Sequence, residues 1–131
     1  MGYLIGASLA LAVSGTATLV GFDQDRAFYP TVLIVVASYY ALFAVMGGSS
    51  LALGMEAPVI AIFLAASIAG FRYSLWIVAA GLAAHGILDA FHHHLIANPG
   101  VPTWWPEFCG TYDLVAAAYL AFILHHRTAA A

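Results

Sequence analysis

Apolar residues run along this chain in long blocks, each closed by a short polar or turn-forming interruption. An α-helix needs about 20 mostly apolar residues to cross the hydrocarbon layer of a bilayer. Five blocks meet that standard, at roughly 3–21, 28–46, 51–70, 74–97 and 108–125. Asp23-Gln24-Asp25-Arg26 separates the first two, and Gly47-Gly48-Ser49-Ser50 the next two. Phe71-Arg72-Tyr73 follows, and the last interruption is the longer stretch "NPGVPTWWPEF". Pro30 falls in the first turns of its block, where a missing N–H is tolerated. Pro58 lies inside the third, where neighbouring helices can satisfy the freed carbonyl. The pattern predicts an all-α, polytopic integral membrane bundle of five transmembrane helices, one domain over residues 1–131. The first block has no positive leader and no persuasive small-x-small cleavage site, so it reads as a retained span.

Composition strengthens this reading. The chain is 64% hydrophobic and only 7% charged, against about 25% charged in a soluble domain. It has no lysine and no basic patch, which argues against a nucleic-acid partner. The single cysteine, Cys109, excludes an intramolecular disulfide. Arg26, Arg72 and Arg127 follow the first, third and fifth spans, so they share one side. The positive-inside rule makes that side the cytoplasm. The N-terminus is then outside and the C-terminus cytoplasmic, with the bacterial inner membrane as the expected location. Trp104 and Trp105 fall at the outer interface, where tryptophan is enriched.

The polar residues inside the spans carry the chemistry. His85, Asp89 and His92, with either His93 or Ile96, form one helical stripe on the fourth span. The topology brings Glu56 of the third span and Asp113 of the fifth to the same outer layer. An Asp at the centre of a membrane helix costs about 2.5–3.5 kcal/mol. No lysine is present to pair with these acids, and every arginine is at the other side. Imidazoles mixed with carboxylates suit a transition metal: iron, copper or zinc. The expected ligands are His85, Asp89, His92, His93, Glu56 and Asp113, with Asp89 or Glu56 as a candidate general base.

The stretch "HGILDAFHH", residues 85–93, resembles a fragment of the histidine boxes of integral-membrane di-iron oxygenases and desaturases. Those boxes read H-x-x-x-H and H-x-x-H-H. Here Asp89 stands at a box histidine position, and the resemblance extends no further along the chain.

The remaining candidates have plainer readings. His94, His125 and His126 are expected at the interface, and Glu107 in the loop, solvated or capping the fifth span. Asp23 and Asp25 are expected to cap or solvate the start of the second span. Cys109 is a packing residue or a soft ligand. Tyr39, Tyr40 and Tyr119 either pack or hydrogen-bond to the acids. Gly6, Ala10, Ser14 and Thr18 form a small-residue stripe for close helix packing, within the bundle or between protomers of a homo-oligomer. The loop with Trp104 and Trp105 is expected to fold back over the polar layer. The functional expectation is a small membrane metal-binding protein, read as a metalloenzyme, oxidoreductase or hydrolase, acting on a lipidic or small apolar substrate. Metal-ion or proton transport, haem ligation and a structural role in a larger complex stay open.

Overall fold

The computed structural model describes residues 1–130, with side chains through Arg127. Five helices make up the fold: α1 (Gly2–Val20), α2 (Phe28–Met46), α3 (Ser50–Arg72), α4 (Leu75–Leu95) and α5 (Trp105–Ala130). All five are long and apolar enough to cross a membrane. The largest departure from the expected spans is α5, which starts at Trp105 rather than near residue 108.

Local chemistry sets the helix ends. Gly21, in the left-handed region at φ 96°, ends α1, a conformation that glycine adopts without a Cβ clash. Ser49 and Ser74 cap α3 and α4, accepting from the amides of Ala52 at 3.0 Å and Trp76 at 3.3 Å. These side chains satisfy amides that the first helical turn leaves without a partner.

The helices pack in the order α1 on α5, α5 on α4, and α4 on both α2 and α3, which also pack on each other. Leu33, Val78, Leu82, Ala116 and Leu120 lie in the core. Gly6, Ala10 and Ser14 of the small-residue stripe are buried, and α1 packs on α5. A Cβ on Gly6 would meet the carbonyl of Phe108 on α5. The stripe therefore serves the bundle itself. The exterior is apolar as well: Leu4, Leu19, Leu51, Ile62, Ile87 and Phe122 are all exposed, a surface that suits hydrocarbon better than water.

One end of the bundle gathers the arginines. Arg26 donates to the carbonyls of Phe71, at 2.7 and 3.0 Å, and of Gly70 at 3.3 Å, capping the end of α3. Arg127 reaches back to Asp23, with contacts of 3.1 Å to its carboxylate and its carbonyl. Asp25 behaves as the sequence suggested and accepts from the amide of Ala27 at 2.9 Å. Asp23 does not. It is buried, paired with Arg127, and accepts from Thr18 at 2.5 Å, while the Thr18 hydroxyl also lies 2.8 Å from that of Tyr119. The misreading has a simple cause: Asp23 is local to α2 in sequence, but its cation arrives from α5.

At the opposite end the segment between α4 and α5 folds back over α2. A Cβ on Gly100 would lie 1.7 Å from the carbonyl oxygen of Phe43, so only glycine fits this close approach. Trp105 is buried against Tyr39 and Phe43, at ring separations of 5.1 and 4.8 Å, while Trp104 is exposed. Gly100→Ala is expected to destabilise the protein by about 1–3 kcal/mol through this overlap. Gly15→Ala, in the open middle of α1, is expected to be neutral or to stabilise by about 0.5–1 kcal/mol. Unfolding in detergent measures both, and equal stability of the two variants would contradict the packing described.

Candidate metal centre

Residues 85–89 read His-Gly-Ile-Leu-Asp, and residues 109–113 read Cys-Gly-Thr-Tyr-Asp. In a helix, positions i and i+4 share a face, so each stretch presents two donors one turn apart. The glycine after the first donor removes a side chain where α4 and α5 cross. A Cβ on Gly86 would lie 2.9 Å from the carbonyl oxygen of Gly110, and one on Gly110 would lie 3.2 Å from that of Gly86. Close approach of the two backbones brings both donor pairs into one buried cluster. His85 Nδ1 lies 2.6 Å from Asp113 Oδ2 and 3.5 Å from Asp89 Oδ2. Cys109 Sγ lies 3.8 Å from Asp113 Oδ2. One donor atom from each of the four residues falls within 4.8 Å of all the others.

Tyr40 of α2 ties this cluster to a second polar pair. Its hydroxyl donates to Asp89 Oδ1. Its ring stacks on His92 at 3.9 Å and 12°. His92 Nε2 in turn lies 2.5 Å from Glu56 Oε1 of α3. Asn98, in the folded-back segment, donates to Glu56 Oε1 at 3.1 Å and to the carbonyl of Tyr40 at 3.0 Å. The segment thus closes over the Glu56–His92 pair. Phe63 meets the His85 ring edge-on at 4.8 Å, so apolar surface surrounds the imidazole as well.

No arginine reaches this region, and the side chains here that can carry positive charge are the imidazoles of His85 and His92. Asp89, Asp113 and Glu56 are each 0% exposed. Asp89 Oδ2, Asp113 Oδ1 and Glu56 Oε2 have no hydrogen-bond partner among the described residues. Burying an ionised carboxylate without compensation is too costly to persist. Arg26 and Arg127 are engaged at the far end of the bundle, and Arg72 is exposed there.

Of the six residues expected to be ligands, His85, Asp89 and Asp113 share the four-residue cluster, and Glu56 and His92 form the neighbouring pair. His93 is exposed and lies against His94 at 3.9 Å, apart from both. Glu107, His125 and His126 are also exposed, as expected. Cys109, read from the sequence as a packing residue or a soft ligand, lies in the four-residue cluster, and Asn98 joins the polar region without having been singled out. A signal for Cys109 was present in the repeated donor-Gly-x-x-Asp spacing. Asn98 had none, since its role depends on how the loop folds back. A second cavity, of about 980 Å³, borders His92, His93, Asn98 and Glu107 in a mostly apolar lining that includes Ile96, Val101 and Leu114.

No protein-family model matches the chain, and no curated protein or solved structure matches it either.

Tyr40→Phe is expected to cost about 1–3 kcal/mol, because it leaves both oxygens of buried Asp89 without a hydrogen bond. Denaturant unfolding of the metal-free protein in detergent measures this, and wild-type stability would contradict it. Asn98→Ala is expected to expose the segment around Pro99 to limited proteolysis at a rate the wild type does not show.

Proposed function

We propose that this protein is a small integral membrane metalloprotein whose buried centre is built from His85, Asp89, Cys109 and Asp113. The observation that carries the reading is the pair of carboxylate oxygens without a hydrogen bond, Asp89 Oδ2 and Asp113 Oδ1, beside an imidazole and a thiol with no lysine or arginine at hand. A divalent ion supplies the missing charge. The donor set of one nitrogen, two oxygens and one sulfur suits zinc or iron, with copper favoured by the imidazole and thiol. Donors around a tetrahedral ion at about 2.0–2.3 Å stand roughly 3.3–3.8 Å apart. Around such an ion the widest donor separation must close by about 1 Å and the His85–Asp113 contact of 2.6 Å must open, changes that side-chain rotation can make.

The biochemical reading is an enzyme acting on a lipidic or small apolar substrate. The bound metal supplies Lewis-acid or, with iron or copper, redox chemistry. Glu56, held by His92 and Asn98 with its second oxygen free, is placed to take a proton from water or substrate. Asp89, tied to Tyr40, is the other carboxylate that can hold a proton at a free oxygen. The box-like spacing of residues 85–93 agrees with a metal role, with His85 and Asp89 in the cluster and His92 beside it. By the arginine rule, the cluster lies in the outer half of a bacterial inner membrane, with the N-terminus outside and the C-terminus cytoplasmic.

Elemental analysis of untagged, detergent-purified protein tests the proposal. The wild type is expected to carry a stoichiometric transition-metal ion, and His85→Ala and Asp113→Asn to carry none. His93→Ala is expected to keep the metal. Because the ligands must be deprotonated, metal should be lost as pH falls. Wild-type protein that takes up no metal even after reconstitution would overturn the proposal. The same acids and histidines would then be a proton-sharing network, and proton flux in liposomes becomes the assay.

A further inference from the structure

α1 and α2 are consecutive helices, yet they make at most marginal contact with each other; α1 packs on α5, and α2 on α3 and α4. Between them runs a groove of about 950 Å³. One face of α2 forms its length, from Phe28 through Thr31, Val35, Tyr39 and Leu42 to Met46, with Leu9 and Val13 of α1 opposite. That face spans the whole helix, about 27 Å at 1.5 Å per residue. The floor is α5, through Trp105, Phe108, Cys109 and Tyr112. Cys109 also belongs to the buried cluster, where its sulfur lies 3.8 Å from Asp113 Oδ2. The groove and the candidate metal centre therefore meet at one side chain.

The shape of the groove selects its occupant. The groove follows α2 from Phe28 to Met46, a length that an extended hydrocarbon chain matches. The walls are almost entirely apolar, with Asp25 and Thr31 near one end and Tyr39, Cys109 and Tyr112 toward the other. Ligand sites of about this volume, apolar with a few polar groups at fixed points, are the usual form of small-molecule pockets. The opening lies between two helices that are each long and apolar enough to cross a membrane, so its sideways neighbour in a bilayer is lipid.

We infer that the α1–α2 groove seats one acyl chain of a bilayer lipid and lays the middle or outer part of that chain against Cys109, at the edge of the cluster. The substrate class deepens the metalloenzyme reading and rests on it for its chemical sense; the binding itself does not. Leu9 and Val35 are partly exposed on the two walls, so a larger side chain at either fills the groove without entering the core. Ile62, exposed on α3, lies outside it.

The test uses the full chain in vesicles containing a phospholipid with a photoactivatable diazirine on one acyl chain. Peptide mapping then locates the label. The wild type should be labelled on the α5 floor, at Cys109 or Tyr112, as well as on outward-facing positions. Leu9→Trp and Val35→Trp should lose the floor labelling, and Ile62→Trp should keep it. Labelling confined to outward-facing residues of all five helices, or floor labelling that survives both groove variants, would overturn the inference. A Val35→Trp variant that breaks a dimer of the wild type would also overturn it, by assigning the groove to a second copy. Metal content measured on the same samples separates the two ideas: floor labelling of a metal-free protein keeps the acyl-chain site and removes the metal centre. Metal without floor labelling does the reverse.

Discussion

The arrangement depends on one contact: the meeting of α4 and α5 at Gly86 and Gly110. Neither helix has a side chain there, so the backbones come within van der Waals distance. Each glycine is preceded by a soft or nitrogen donor and followed three residues later by an aspartate. The crossing therefore gathers four side chains able to ligate a metal from only two helices. It also holds two carboxylates in an apolar interior beside groups that carry no fixed positive charge. Such residues are expensive inside a membrane protein and normally mark a functional site. Packing between small residues and polar chemistry are here the same feature.

The elements around the crossing extend it in two directions. Tyr40 bonds to Asp89 through its hydroxyl and stacks on His92 through its ring, so α2 joins the cluster to the Glu56–His92 pair on α3 and α4. The segment that folds back after α4 then covers this pair through Asn98 and anchors on α2 at Gly100. On one side His92 borders one cavity, and on the other Cys109 borders the α1–α2 groove. The far end of the bundle is closed by Asp23 and Arg127, whose pairing fixes the ends of α1 and α5 relative to each other.

Much of this was legible in the sequence, and the reasons differ by feature. The five helices were readable because a membrane-length apolar block is a strong signal that short loops interrupt cleanly. The depth of Glu56, Asp89, His85 and Asp113 followed from helix direction alone. Depth does not fix azimuth, however. His92 and His93 are adjacent in sequence, yet a rotation of about 100° per residue turns one inward to Glu56 and the other to the surface. Asp23 was read as a local cap because its arginine lies more than a hundred positions away. Cys109 was readable as either a packing residue or a soft ligand, and the match of Cys-Gly-x-x-Asp to His-Gly-x-x-Asp is what separates the two. Asn98 depended on the path of the loop, which no periodicity encodes.

X-ray absorption on zinc-loaded protein tests the central claim most directly, because it reads the donor atoms rather than the presence of metal. The account predicts one sulfur at about 2.3 Å with nitrogen and oxygen donors at about 2.0–2.2 Å, the sulfur disappearing in Cys109→Ser. A shell of oxygen alone, or one indifferent to the Cys109 and His85 substitutions, would place the ion elsewhere and contradict the assignment of the α4–α5 crossing as a metal centre.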